Sequence, residues 1–226
     1  MLATAGLAAL AYLLGSIPFG FLVGRARGVD LRKKGSGNIG ATNIYRALGF
    51  KVALAVFALD AAKGLAATRL IPLVIPPAHP QGGAAAYLPL LCGAAAVLGS
   101  VASIFMGFKG GKGVATGAGV FLGLAPLTTA ICLAIWAALV AAFKYVSLGS
   151  MVAALALPVL LAAFNRDGFT ADPVFYLGLV VAALVVTRHR ANIMRLARGT
   201  EGRVGRTAET PAQGTAAPGR GKEDRP

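Results

Sequence analysis

Three short stretches hold most of the side chains that could bind an anion, and they interrupt a chain that is otherwise apolar. They cover residues 34–46, 107–116 and 187–195. Each combines exposed backbone N–H groups with cationic or amide side chains, which are the groups that anionic oxygens need. If the three stretches lie on the same side of a membrane, they can converge on one phosphate-bearing site.

The first stretch offers neutral hydrogen-bonding side chains and one guanidinium. Its candidate ligands are Ser36, Asn38, Thr42, Asn43 and Arg46. Hydroxyls and amides can donate to phosphate, and the planar fork of arginine fits phosphate or carboxylate. Its glycines match the dinucleotide-binding pattern G-x-G-x-x-G, but basic residues precede them instead of a strand, and no βαβ unit surrounds them. An anion-binding loop is favoured, and a glycine-rich turn that caps a helix is the alternative.

The second stretch resembles a phosphate loop but is not a Walker A motif, because Gly113 follows its final lysine where Ser or Thr is required. Nucleotide hydrolysis is therefore unsupported. Consecutive glycines can turn their N–H groups inward, and a helix that starts at Val114 would add partial positive charge. A flexible basic loop is the alternative. The candidate ligands in this stretch are Lys109, Gly110, Gly111, Lys112, Gly113 and Thr116.

The third stretch follows the last apolar segment. If it is helical, Arg188, Asn192 and Arg195 share one face, because they are four and three residues apart. His189 is the only histidine near any of the three stretches. It could act as a general base or donate to an oxyanion, and a surface histidine among arginines is the alternative.

Asp60 and Lys63 lie within an apolar segment at a spacing that lets them form an ion pair. Ionisable groups at membrane depth are costly and point to function. A structural ion pair that faces the helix bundle is an equal alternative.

The composition is that of an integral membrane protein. The 226 residues are 57% hydrophobic, with a mean hydropathy of +0.72 and a net charge of +14. The cations gather at segment ends and in the tail, which argues against a nucleic-acid partner. Cys92 and Cys132 fall in apolar segments, where buried structural roles are expected. No metal-ligand cluster is visible, and no metal or cofactor is expected.

Loop charge decides the topology of the apolar segments. Residues 114–143 are too many for one span and few for two, since one span takes about 20 residues. A hairpin that turns near Pro126 would bring all three stretches to one face, as the positive-inside rule favours. We therefore predict an all-α polytopic protein with seven transmembrane helices, the N-terminus outside and the C-terminus cytoplasmic. The predicted apolar segments are 2–24, 50–71, 84–106, 114–143, 146–164 and 173–186.

The chain divides into a membrane domain and a tail. Residues 1–198 are predicted to form the membrane domain. Residues 199–226 are rich in Gly, Ala, Thr, Pro and Arg without hydrophobic periodicity, so we predict a disordered basic cytoplasmic tail.

Together these motifs resemble the bacterial PlsY family, membrane acyltransferases that acylate glycerol 3-phosphate from acyl phosphate. The resemblance rests on residues 34–46, 107–116 and 187–201, with further matches at 60–64 and 145–150. It implies seven helices with cytoplasmic motifs in the bacterial inner membrane. It also implies the reaction of acyl phosphate with glycerol 3-phosphate to give 1-acylglycerol 3-phosphate and phosphate, the first acylation of bacterial phospholipid synthesis. It implies no acyl-thioester donor.

Both expected substrates carry phosphate. We expect the glycine loop, with Ser36 and Thr42, to cradle acyl phosphate, and Ser36 and His189 to act in catalysis. Membrane lipid is the remaining expected partner, with no obligate protein partner. The residues expected to hold glycerol 3-phosphate are Arg46, Lys109, Ser147, His189 and Asn192.

One position departs from the family pattern, and one other function class stays open. Ser100 stands where the family usually has a histidine, and it can donate one hydrogen bond but cannot titrate. The alternative function is a small anion or organophosphate transporter, which would suit the basic loops and the Asp60/Lys63 pair. A transporter predicts a site reachable from both faces and often repeated halves, and we see no internal repeat.

Overall fold

The computed structural model describes residues 2–74, 87–165 and 172–205, and within those ranges every regular element is helical. The predicted all-α class is confirmed. Two 3₁₀ turns, Leu31–Lys33 and Ile104–Met106, accompany the helices. The α-helices in chain order are α1 (Leu2–Ser16), α2 (Phe19–Ala26), α3 (Ala41–Leu48), α4 (Phe50–Arg69), α5 (Ile71–Val74), α6 (Leu88–Val101), α7 (Val114–Leu124), α8 (Pro126–Phe143), α9 (Val146–Phe164), α10 (Pro173–Arg188) and α11 (Arg190–Ala197).

Each predicted apolar segment contains a helix, whereas the count of seven crossings stays a prediction. In the described part of the chain, α10 and α11 form a pair bent by 55° that could make a fifth span. Helix α7 is apolar but only 11 residues long. Among the described residues, four stretches are long and apolar enough to cross a bilayer unaided: Leu2–Ala26, Leu88–Met106, Pro126–Phe143 and Val146–Phe164.

Two proline breaks shape the bundle. Helix α7 ends before Ala125, and Pro126 begins α8 at the first helical position, where its missing N–H costs nothing. The break predicted near Pro126 is therefore present. The other break, at Ile17 and Pro18, separates α1 from α2.

The Asp60–Lys63 pair supports the break at Ile17 and Pro18. The two side chains meet at 2.7 Å within α4, as their spacing predicted. Lys63 Nζ also donates at 2.9 Å to the carbonyl oxygen of Ile17, just after α1 ends, and the same oxygen accepts from the Phe19 N–H at 3.2 Å. A buried cation thus satisfies both a carboxylate and a helix end.

Small residues let the helices approach closely. A Cβ added to Gly119 on α7 would collide with the carbonyl of Ala61 on α4, and one added to Gly15 on α1 would collide with Ala96 on α6. Such backbone contacts are typical of membrane helix packing.

The largest hydrophobic core lies among α6 to α10. Cys92 and Cys132 are free and buried, as predicted. The buried members of this core are Val97, Val120, Phe121, Cys132, Leu157, Leu161, Leu177, Val181 and Val185.

Candidate functional site

The three anion-binding stretches converge on one cavity of about 540 Å³. Arg188, from the third stretch, contacts the second stretch, and Lys112, from the second, contacts Asn192 of the third. The predicted site residues that line the cavity are Ser36, Asn38, Thr42, Asn43, Arg46, Gly111, Lys112, Gly113, Thr116, Ser147, His189 and Asn192.

Asn43 shapes the first loop from inside. Its side-chain oxygen accepts from the Ser36 N–H at 3.1 Å, and its amide donates to the carbonyls of Leu31 and Lys34 at 3.1 and 3.0 Å. Asn43 is only 2% exposed, and all three hydrogen bonds of its side chain go to backbone groups of the loop. Ser36, whose side chain lies at the cavity, is held in place by this arrangement.

The second loop is braced from both sides. The N–H groups of Gly110 and Gly111 donate to the carbonyls of Val101 and Ser100 at 3.0 and 2.9 Å. The carbonyls of Gly110 and Gly111 both accept from Arg188 at 3.1 Å. These two N–H groups therefore point at the end of α6, which differs from the inward-facing glycine N–H groups that we expected.

The free N–H groups on this side of the cavity come from the start of α7. Gly113 has a φ of 76°, and the helix begins directly after it. The first N–H groups of a helix have no intrahelical acceptor, so they and the helix dipole favour an anion. Val114, Ala115 and Thr116 all line the cavity at this point.

Glu201 is the common hydrogen-bond acceptor of Ser147, Asn192 and Arg195, and these four side chains form a cluster that is called the Glu201 hub below. Glu201 is not among the site residues predicted from the sequence. It is 6% exposed. One carboxylate oxygen accepts from Ser147 Oγ at 2.9 Å and Asn192 Nδ2 at 2.7 Å, and the other accepts from Arg195 Nε at 2.7 Å. Burial opposes ionisation, but the hydrogen bonds from Arg195, Asn192 and Ser147 outweigh it and hold the pKa of Glu201 below its usual value.

Two cations face the cavity next to this hub. Lys112 donates to Asn192 Oδ1. Burial lowers the pKa of Lys112 to about 8, with nearby arginines contributing, so its ammonium is mostly charged at neutral pH. Arg46 donates to the carbonyl of Gly202 at 3.0 Å and lies 4.0 Å from a Glu201 oxygen. The site therefore presents fixed positive charge.

His189 is buried at the bend between α10 and α11. Its Nδ1 lies 2.7 Å from the carbonyl oxygen of Val185, which can only accept, so Nδ1 carries hydrogen and Nε2 is left with a lone pair. Burial, followed by the charge of Lys112, lowers the pKa of His189 to about 4. The imidazole is therefore neutral at physiological pH.

The first residues of the predicted tail, 199–205, fold back over the site. Val204 N–H donates to the carbonyl of Lys144 at 2.8 Å, and Arg203 Nε donates to the Tyr145 hydroxyl at 2.9 Å. Val204 also lines the cavity. The disorder predicted for the rest of the tail, 206–226, lies outside the described residues.

Four predicted ligands lie away from the cavity lining formed by the described residues. Arg188 and Gly110 brace the glycine loop, and Arg195 holds the Glu201 carboxylate. Lys109 is exposed on the loop. No group of three or more His, Cys, Asp or Glu that could hold a metal occurs in the part of the chain that the structure describes.

The other half of the cavity is apolar. Its walls are side chains of α4 and α8. Two of them, Phe50 and Leu54, are more than half exposed. The wall residues are Phe50, Ala53, Leu54, Phe57, Leu133, Trp136, Ala137 and Val140.

The chain is similar to proteins of one enzyme family over most of its length. The family model described as "Glycerol-3-phosphate acyltransferase" matches residues 5–199. A glycerol-3-phosphate acyltransferase of Geobacter sulfurreducens is 48% identical over 197 residues, which is 87% of this chain and 95% of the relative. One of Chlorobium phaeobacteroides is 41% identical over 222 residues, covering 87% and 94%.

Solved structures agree with this similarity. The crystal structure of PlsY, an integral membrane glycerol 3-phosphate acyltransferase, in its glycerol 3-phosphate form superposes with a TM-score of 0.78 at 38% identity, covering 89% of this chain and 96% of that one. The lysophosphatidic acid form gives a TM-score of 0.73 at 37% identity, covering 88% and 94%.

Proposed function

The chain belongs to the glycerol-3-phosphate acyltransferase family, and from this premise we propose that its acyl donor is an acyl phosphate. The reaction is then acyl phosphate plus glycerol 3-phosphate to 1-acylglycerol 3-phosphate plus phosphate. The observation that carries the proposal is the division of one cavity into a cationic half, with Lys112 and Arg46, and an apolar half between α4 and α8. Both phosphates and one acyl chain have matching surroundings there.

Direct transfer between the two substrates suits this cavity better than an acyl-enzyme. Covalent catalysis needs a nucleophile activated by a neighbouring base. Ser147 Oγ donates a hydrogen bond to Glu201, so this hydroxyl has a structural role and is not activated as a nucleophile. Neutral His189 lacks the basicity to keep a proton near pH 7. An acyl phosphate needs less activation, because phosphate is already a good leaving group.

In this mechanism the protein aligns the two substrates, and the proton passes from glycerol 3-phosphate directly to the phosphate of the acyl donor. The second, unreactive hydroxyl of glycerol 3-phosphate donates a hydrogen bond to His189 Nε2, which helps to orient the reacting hydroxyl oxygen toward the acyl carbonyl. The new ester bond forms as the acyl–phosphate bond breaks, and the hydroxyl proton goes to an oxygen of the departing phosphate. Alignment supplies much of the rate. Lys112 and the first N–H groups of α7 stabilise the developing negative charge.

Ten polar residues at the site, nine of them predicted from the sequence and the tenth Glu201, divide into two roles. Ser36, Asn38, Thr42, Arg46, Lys112 and Thr116 are the proposed substrate contacts. Asn43, Arg188, Arg195 and Glu201 are proposed to position those contacts, since their hydrogen bonds go to loop backbone or to each other.

We further propose seven membrane crossings, with the N-terminus outside and the site facing the cytoplasm of a bacterial inner membrane. The meeting of all three basic stretches in one cavity supports this arrangement, because a single crossing by residues 114–143 would separate the second stretch from the third.

Donor competition tests the proposal. Purified protein would receive glycerol 3-phosphate with palmitoyl phosphate or with palmitoyl thioesters of coenzyme A and acyl carrier protein. We expect phosphate release from palmitoyl phosphate alone among these donors, matched mole for mole by lysophosphatidic acid. We expect a loss of at least about 100-fold in Lys112→Ala. Efficient transfer from a thioester would overturn the proposed donor.

A further inference from the structure

A second, smaller chamber adjoins the cavity that holds the proposed active site. It measures about 80 Å³ and lies among α4, α7, α8, α9 and α10. It shares walls with the active cavity at five positions: Phe57, Val114, Leu133, Trp136 and Ser150.

The chamber continues the cavity away from the basic loops. Along α9, the cavity uses Ser147 and Ser150, and the chamber then uses Ser150, Ala154 and Leu157. The lining of α7 and α8 progresses in the same direction. Ten residues of α-helix span about 15 Å, so the two spaces follow one another along the helices, with the chamber farther from the cations.

The chamber is suited to hydrocarbon. Its two hydroxyls are turned to their own helices, with Thr129 donating to the carbonyl of Ala125 and Ser150 to that of Val146, both at 2.9 Å. A water there would find few partners, and voids of this kind stay dry. Protein interiors leave few spaces larger than a water, so a chamber kept open by Gly117 and small alanines calls for an occupant.

We propose that this chamber receives the last carbons of the acyl chain and sets the longest chain that the enzyme transfers efficiently. Because the chamber shares walls with the cavity that holds the proposed active site, we take its occupant to be the substrate's own acyl chain and not the tail of a bulk lipid. The proposal rests on the acyl transfer described above, and it assigns chain-length selection to Ala154, Gly117 and Leu157.

The test fills the chamber without touching the polar site. Ala154→Leu would be compared with Ala138→Leu, the same change on the exposed face of α8. We expect Ala154→Leu to lower the ratio of kcat/KM for palmitoyl over decanoyl phosphate by about tenfold, since each excluded methylene costs about fourfold. We expect Ala138→Leu to leave the ratio unchanged, and Leu157→Ala to raise it.

If Ala154→Leu does not fold, the smaller substitution Gly117→Ala tests the same proposal. A Cβ at Gly117 would sit 3.4 Å from Val181, so Gly117→Ala fits and should shift the ratio in the same direction by about twofold to fourfold. An unchanged ratio in the folded variants, or an equal loss for both donors, would overturn the proposal.

Product binding separates this proposal from the choice of donor. Thermal stabilisation by palmitoyl and decanoyl lysophosphatidic acid needs no donor. If acyl phosphates fail as donors but Ala154→Leu still weakens the palmitoyl product selectively, the chamber stands and the donor is wrong. If both products stabilise variant and wild type alike, the chamber assignment is wrong.

Discussion

Two buried polar side chains organise opposite sides of the cavity, and they do so differently. Asn43 is neutral and bonds only to backbone groups of its own loop. Glu201 is charged and collects Ser147, Asn192 and Arg195 from two helices. A neutral amide is enough to shape a local turn. The buried carboxylate instead ties side chains of separate helices together, and its removal would leave a cation without its partner.

The largest expected effect follows from that difference. Glu201→Ala should destabilise the protein by about 3–5 kcal/mol, because it leaves the buried donors of Ser147 and Asn192 without an acceptor and the partly exposed Arg195 without its carboxylate. Thermal unfolding in detergent would measure this loss. Glu201→Gln is the matched control that keeps shape and removes charge, and it should fall between Glu201→Ala and wild type. An unfolding temperature equal to wild type in Glu201→Ala would show that the hub is not structural.

Asn43→Ala should cost less, about 1–3 kcal/mol, because the groups that it leaves unpaired are neutral backbone groups, two of them only partly buried. The expected signature is a local one: a fall in kcat/KM for acyl transfer with a smaller fall in unfolding temperature than Glu201→Ala gives. Asn38→Ala is a useful comparison, since Asn38 accepts only one backbone bond, from Gly40. Equal losses of activity in the two variants would contradict the organising role of Asn43.

Several features of this arrangement could be predicted from the sequence. The break at Pro126, the burial of both cysteines and the pairing of Asp60 with Lys63 follow from residue type and local spacing. These features depend on neighbours within a few residues.

The features that could not be predicted depend on distant backbone atoms. Nothing in the sequence says that Arg188 will bond to two glycine carbonyls, or that Lys63 will bond to the carbonyl of Ile17. Carbonyl acceptors exist at every residue, so only the fold selects them. Glu201 left a partial signal, since it is the one carboxylate among the basic residues 188–206, but most of the sequence around and after it has the composition of a tail.

Acid titration distinguishes the two organising side chains by a smaller effect. The folded-state pKa of Glu201 is lowered, so its stabilisation is fully present above the unfolded value of about 4.5 and is lost as the pH falls through the folded pKa. Unfolding temperatures measured from pH 3 to pH 7 should show a smaller acid-induced drop in Glu201→Gln than in wild type. Asn43→Ala should keep the wild-type slope. The same slope in all three proteins would remove Glu201 from the acid transition.

The smallest effect is expected at His189. Because its imidazole is already neutral and serves as a hydrogen-bond acceptor, His189→Gln should keep kcat within about tenfold of wild type. Its pH–rate profile should keep the same fall above about pH 8, which belongs to loss of the Lys112 proton. A drop of three orders of magnitude in kcat, with loss of a titration step, would make His189 the base.

Direct transfer within one cavity is tested most directly by mixing the protein with palmitoyl phosphate in the absence of glycerol 3-phosphate. Phosphate release and the intact mass of the protein would be followed over a single-turnover period. We predict no phosphate burst and no acylated protein until glycerol 3-phosphate is added, after which phosphate and lysophosphatidic acid form together. A stoichiometric burst of phosphate with a palmitoylated protein, competent to acylate glycerol 3-phosphate later, would contradict it.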